Sequence, residues 1–358
     1  MPFIIPQRPS FDASTLDRNI CNPTALQAFG VLTDDGEPQQ EAFHYRGDRC
    51  LTDTISLQKQ YIETSSFEQL SGSWFFGGVL FSHFGHFFTE SIHRLRSYTE
   101  NPGEFDGVIF LKSPHSGTFS YNPLDIKYIR AILTEYFNID REQILFVDSC
   151  IEVERLTCFR QEQQLGTTPK IEYVDFLGRL ERAYLQNKDE PKGPEKIFFS
   201  RKNYLKAGRT LGMSAIEGVL SENGYLIVSP EDYTIREQFL YIHNAKRVIC
   251  EAGSALHLFD ALGPQKSELV VMSRRGFDAR YWRDLYGSRV SRFLAFDKAL
   301  PMHNYFGTTA GAGHSLYHIE LLTAFLKDLG LSFNQAKLLA EIREAVSHDI
   351  KTLNVGFF

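Results

Sequence analysis

Between residues 196 and 275, short apolar runs and helical patterns alternate, and this restricts the fold more than any other feature of the chain. KIFFSRK opens the series with Ile197, Phe198 and Phe199 and ends in Ser200, Arg201 and Lys202. MSAIEGVLSENG then reads as a helix, YLIVS as a second strand, TIREQFLYIHNA as a second helix and KRVICEAG as a third strand. SALHLFDALG repeats its apolar positions at helical spacing, and ELVVMS closes the series. Strands separated by helices of about a dozen residues predict stacked βαβ units and a parallel sheet. Ligands of such sheets sit outside the carboxyl ends of the strands.

The turn formed by Glu251, Ala252, Gly253, Ser254 and Ala255 falls at such an end. Gly253 permits close backbone approach, and Ser254 is a suitable N-cap for a helix beginning near Ala255. Free N–H groups and the positive end of a helix dipole there suit a phosphate. Equally, any tight βα turn uses a glycine and a cap. Neither G-x-G-x-x-G nor the P-loop pattern occurs at the turn, so no dinucleotide or nucleoside triphosphate fingerprint is present.

A second informative stretch is SGSWFFGGVLFSHFGHFFTESIHRLRSY, residues 71–98. Gly77 and Gly78 punctuate an aromatic run, and a helix is predicted from about Phe84, with Phe87, Phe88, Ser91, Ile92 and Leu95 on one face. His86, Glu90, His93 and Arg94 are three or four residues apart, so some share a stripe. A histidine with a carboxylate one turn later is a general-base arrangement, because the carboxylate orients the ring and raises its basicity. The same pair also occurs as a buried histidine satisfied for packing alone. The spacing is not H-E-x-x-H and no third ligand is evident, so no zinc site is expected. Residues 1–70 read as irregular with short strands (AFHYRG, RCLTDTISL, QYIETSS), and no chemistry is read from them.

After residue 103 the alternation resumes through GVIFLK, YNPLDIKYIRAILTEYF, QILFVDS, IEVERLTCFRQ and the helical KIEYVDFLGRLERAYLQN. KDEPKGPEK follows, rich in Lys, Pro and Glu, and is the best linker candidate. It divides the chain into domains of 1–190 and 191–358. Beyond residue 275, DARYWRDLYG predicts a helix and SRVSRFLAFD a strand. A glycine-rich loop holds His303, His314 and His318 with Gly307, Gly311 and Gly313, and two amphipathic helices end the chain.

A net charge of -6 over 358 residues argues against nucleic acid as the main partner. Arg274, Arg275, Arg280, Arg283, Arg289 and Arg292 crowd one region and read mostly as solvated surface and ion pairs. Five scattered cysteines without C-x-x-C predict neither a disulfide framework nor a zinc site, and hence a reducing, cytoplasmic compartment. MPFIIPQRPSFD lacks the long apolar core of a signal peptide, and no run of eighteen apolar residues occurs. Any membrane association is therefore expected to be peripheral.

The succession of KIFFSRK, Arg209, a helix, GYLIVSPEDYTIREQFLYIHNAKRVICEAGSALHLF and a VVM strand resembles glycosyltransferase family 61. The match in order and spacing covers roughly eighty residues, well beyond any single motif. Gly85, His86, Phe87 and Glu90 match a G-H-[FWL]-x-x-E-like stretch of the same family. One departure is Glu251, which stands where many members carry the first glycine of G-A-G.

The resemblance implies two Rossmann-like doubly wound α/β domains facing a cleft (GT-B), with the C-terminal helices packing across. It implies an inverting glycosyltransferase that moves a sugar from a nucleotide-sugar donor to a glycan or lipid-linked saccharide, in surface polysaccharide biosynthesis at the inner face of the membrane. On this resemblance the donor phosphate falls to Arg201, Lys202 and Arg209 with the turn at Gly253, Ser254 and Ala255. His86 falls to the role of base, supported by Glu90. Glu251 is the runner-up base or a donor-hydroxyl ligand, His257 a contact to phosphate or sugar, and Gln238 matches a family position. No D-x-D occurs, so neither a metal nor another cofactor is expected. The alternatives are a nucleotide-sugar epimerase of the same fold and a non-catalytic subunit of glycan assembly. Nothing in the sequence speaks to oligomeric state.

Overall fold

The computed structural model describes residues 1–5, 29–64, 66–113, 122–147, 149–186, 193–201, 203, 208–274, 279–301 and 314–352. Lys202, Arg275, His303, Gly307, Gly311 and Gly313 lie outside the described residues, as does most of the KDEPKGPEK segment. The chain groups into two compact units, Met1–Tyr184 and Leu185–Phe358.

Unit 1 holds β1 (Phe3–Ile5), β2 (Gly30–Leu32), β3 (Tyr45–Arg46), β4 (Arg49–Cys50), β5 (Glu68–Leu80), β6 (Gly107–Lys112), β7 (Ile144–Val147) and β8 (Ile151–Thr157). Six of them form one sheet in the order β2-β1-β8-β5-β6-β7. The four strands from β8 to β7 pair in parallel, whereas β1 runs antiparallel to both β2 and β8. An antiparallel edge on an otherwise parallel sheet is common in α/β folds. Every residue of β6, GVIFLK, is buried, which explains the apolar run from Val108 to Leu111. Ile4, Val31, Phe76, Ile109, Leu111 and Val153 belong to one core cluster of this unit.

Unit 1 also contains α1 (Thr54–Glu63), α2 (Phe84–His86), α3 (Arg96–Glu100), α4 (Lys127–Arg130) and α5 (Ile171–Leu185, its last residue falling in unit 2). α1 corrects the expectation of strands across RCLTDTISL and QYIETSS. The Asp53 carboxylate accepts the Ser56 amide N–H at 3.1 Å, an N-cap that sets the helix despite its β-branched residues. The helix expected from Phe84 exists, but its second turn, Phe87–Ser91, is a π-helix. Phe87, Phe88, Ser91, Ile92 and Leu95 are all buried.

Unit 2 is built on β9 (Lys196–Phe199), β10 (Leu226–Val228), β11 (Arg247–Glu251), β12 (Glu268–Met272) and β13 (Arg292–Phe296). Every pairing is parallel, and the order is β10-β9-β11-β12-β13. Counted within the unit this is 2-1-3-4-5, a doubly wound order whose reversal lies between β9 and β11. The strands run on through α6 (Met213–Glu222), α7 (Ile235–Asn244), a 3-10 helix at Ser254–Ala261 and α8 (Ala279–Tyr286). α7 begins with a capping box in which Thr234 and Glu237 satisfy each other's backbone N–H groups.

The unit ends in a hairpin of β14 (Ala299–Pro301) and β15 (Ser315–Tyr317), followed by α9 (Ile319–Asp328) and α10 (Gln335–Thr352). Phe198, Ile249, Val270 and Met272, on one face of the sheet, cluster with Ile216 and Leu220 of α6, Leu322 and Leu326 of α9, and Leu338 and Ile342 of α10. Both of the last two helices thus bury apolar residues inside unit 2.

Candidate functional site

Functional side chains gather at two places, one in each unit. In unit 1 the centre is Glu90, buried on the π-helical turn. Turns of this type recur at functional sites because the extra residue re-aims side chains. His86 Nδ1 lies 2.5 Å from Glu90 Oε1. Its ring is one-fifth exposed, against 0% for the Glu90 side chain. With Nδ1–H donated to the carboxylate, the basic lone pair of the imidazole is on Nε2.

Two further partners reach Glu90 from the β3–β4 hairpin. Arg46 donates from Nε to Oε2 at 2.7 Å and from Nη2 to Oε1 at 3.0 Å, a two-pronged grip. His44 Nε2 lies 2.7 Å from Oε2. Extended backbone turns residues i and i+2 to the same side, which brings His44 and Arg46 together. The hairpin closes through Gly47, whose φ of 57° few other residues adopt. Burial alone pushes Glu90 up, but hydrogen bonds from His44 and His86 and the charge of Arg46 outweigh it and hold the carboxyl well below its usual range. Burial also keeps His44 below its ordinary value. Glu90 is therefore a carboxylate at neutral pH and His44 a neutral donor.

The other two members of the predicted stripe do different work. His93 Nδ1 meets the Tyr173 hydroxyl at 2.8 Å. Arg94 donates to the carbonyls of Phe43 and Phe159, so it ties the segments on either side of the helix together.

In unit 2 the centre is Glu251, buried at the carboxyl end of β11, beside the reversal of strand order. Thr210 donates to its Oε1 from Oγ1 at 2.8 Å and from the amide N–H at 3.3 Å. Its other oxygen, Oε2, has no hydrogen-bond partner among the described residues. Burial raises the Glu251 carboxyl, against the pull of the Thr210 bond and of the charges on Arg201 and Arg274. Arg201 lies two residues past the end of β9 and Arg274 two past the end of β12, so guanidinium groups from both neighbouring strands act on Glu251.

Gly253 matters for space and not for backbone conformation, since its φ of 172° is ordinary extended chain. A Cβ there would lie 2.3 Å from Arg201 Nη1. Arg274 crosses Gly208 in the same manner and donates from Nε to the Ala252 carbonyl at 2.8 Å.

Several sequence expectations change here. Ser254 is not an N-cap: Gly253 holds that position without a side-chain bond, and Ser254 and Ala255 are the first two residues of a 3-10 helix, not an α-helix. Apolar positions at 255, 256, 258 and 259 fit either period, which is why spacing misleads. Arg274 and Arg289 are buried rather than solvated; Arg292 is exposed and pairs with Glu268. Arg209 is buried and its Nη2 lies 2.5 Å from Asp349 Oδ1. His257 Nδ1 approaches Asp260 at 3.0 Å and the Tyr286 hydroxyl at 3.3 Å, the environment of a packed histidine. Gln238 donates to the carbonyls of Pro230 and Tyr233, which fixes the entry to α7. Sequence reasoning passed over His44, Arg46 and Thr210. A two-residue strand leaves no periodicity to read, and a threonine after Arg209 carries no motif.

Among the described residues, no helix is long and apolar enough to cross a membrane. No group of three or more His, Cys, Asp or Glu that could hold a metal ion occurs among them.

Comparison with protein families supplies the class, a glycosyltransferase. Residues 84–274, more than half of the chain, match the family model described as Glycosyltransferase 61, and the chain belongs to that family. The matched segment runs from the helix that carries His86 to Arg274. No curated protein matches the chain.

Proposed function

We propose that the chain is an inverting, metal-independent glycosyltransferase that moves a sugar from a nucleotide-sugar to a hydroxyl of a glycan or lipid-linked saccharide. Its proposed setting is surface polysaccharide synthesis in the cytoplasm, at the inner face of a membrane. Units of 1–190 and 191–358 would act as the acceptor and donor lobes of a GT-B enzyme. The doubly wound order of unit 2 supports the second assignment.

The observation that carries the reading is the grouping of Arg201, Arg274 and Glu251 around the strand-order reversal, in a family of glycosyltransferases. In a single displacement the acceptor oxygen bonds to the anomeric carbon while the bond to the donor phosphate breaks. The acceptor proton goes to Nε2 of His86, and the bonding pair leaves with the phosphate as negative charge. Arg201 offers that charge a planar fork of donors, with Lys202 and the turn at Gly253, Ser254 and Ala255 as further phosphate contacts, while Arg209, paired with Asp349, frames the loop that carries Thr210. Glu251 would offer Oε2 to a donor hydroxyl, and His257 a further contact to phosphate or sugar. The nucleotide-sugar is a substrate; no cofactor takes part.

Titration of nucleoside mono- and diphosphates, with and without EDTA, tests the reading. Binding should survive EDTA, and Arg201→Ala should slow sugar transfer by about 10²-fold or more. Unchanged kinetics in that variant would remove Arg201 from the mechanism. Epimer formation without an acceptor would favour an epimerase, and absence of nucleotide binding a scaffold subunit.

A further inference from the structure

We propose that Arg46, reaching Glu90 from outside the family-matched segment, sets the protonation of the His86–Glu90 pair and hence the pH range over which His86 accepts a proton. This rests on the reading of His86 as base. Arg46 is a positioning residue, since it acts through Glu90.

Both Glu90 oxygens are engaged by Arg46, and its side chain is 7% exposed, so little water screens the contact. His86 and Glu90 share a hydrogen bond of 2.5 Å, so a proton added to one is felt by the other. Without a cation, the pair with neutral His86 would carry one buried negative charge. The Arg46 guanidinium cancels it. Other groups facing the pair are His44, bound to Oε2, and His83, whose ring centre is 5.1 Å from that of His86. Arg94 also acts electrostatically, on His44. Of these, Arg46 alone is a permanent cation bonded to the carboxylate.

Removing a positive charge makes the next proton easier to add, whichever member of the pair accepts it. Replacing Arg46 with a neutral residue therefore raises the pKa of the pair, and the range in which His86 is an unprotonated base retreats to higher pH.

The test is a pH titration of the His86 ring by NMR in the full chain, its signal assigned by loss in His86→Gln. Arg46→Met and Arg46→Gln should each increase proton affinity at the ring tenfold or more, a shift of at least about one pKa unit. Arg46→Lys, which keeps the charge, should restore most of the wild-type value. A shift of only a few tenths in either folded neutral variant would overturn the proposal. Should neither neutral variant fold, the wild-type ring decides. It should carry its proton on Nδ1 with Nε2 unprotonated at pH 7.5, and a doubly protonated ring at that pH would contradict cancellation by Arg46. Because the readout is titration and not turnover, it separates from the base assignment. Wild-type transfer by His86→Ala would refute the base while leaving this coupling intact.

Discussion

Arg209 and Asp349 stand 140 residues apart in the chain and 2.5 Å apart in space. The other Asp349 oxygen accepts the Gly212 amide N–H at 2.8 Å. α10 thereby holds the loop that delivers Thr210 to Glu251. The Arg209 carbonyl and the Leu211 amide bond Ser315 of β15 from the other side. A helix far beyond the matched segment is in this way part of the frame around Glu251.

Breaking this pair should cost far more than breaking a surface pair, because Arg209 would remain as a buried charge without its carboxylate. Asp349→Ala is expected to lose about 3–5 kcal/mol, read from urea unfolding. A loss below about 1 kcal/mol would show that the pair is screened like an exposed one.

Gly253→Ala tests the packing of Arg201. The backbone at Gly253 tolerates alanine, so the melting temperature should stay near the wild-type value. The new methyl would meet the movable end of Arg201, however, and must displace it. Nucleotide affinity is expected to fall about tenfold or more, a difference of about 1.4 kcal/mol. Calorimetric titration with a nucleoside diphosphate would show it.

Glu90 and Glu251 should shape the pH dependence of stability in opposite directions. The folded pKa of Glu90 is depressed, so its contribution is complete above the unfolded value and lost as pH falls through the folded one. The folded pKa of Glu251 is raised. Its ionisation therefore costs stability as pH climbs from the unfolded value through the folded one. Relative to wild type, Glu90→Gln should flatten the loss of stability below about pH 4, and Glu251→Gln should flatten the decline above it. Urea midpoints measured across pH decide this; parallel curves for all three proteins would contradict both assignments.

The alternation of β9, α6, β10, α7, β11 and β12 was legible because each apolar run ends at a turn residue and each helix carries its own period. Glu251 and Gly253 were legible as the end of a parallel strand, and His86 with Glu90 as neighbours one turn apart. Arg274 was not, since a sequence shows its charge but not that Gly208 and the Ala252 carbonyl make room for it indoors. Nor were His44 and Arg46, which a short hairpin carries to a carboxylate more than forty residues away. Long-range pairing of this kind, like that of Arg209 with Asp349, depends on tertiary packing that no local spacing encodes.

Turnover of the His86→Ala variant with a nucleotide-sugar and an acceptor, set beside its nucleotide affinity, goes most directly to the central claim. Loss of the base should lower kcat about 10²-fold or more while nucleotide affinity stays at the wild-type level. Wild-type kcat in that variant would contradict the account.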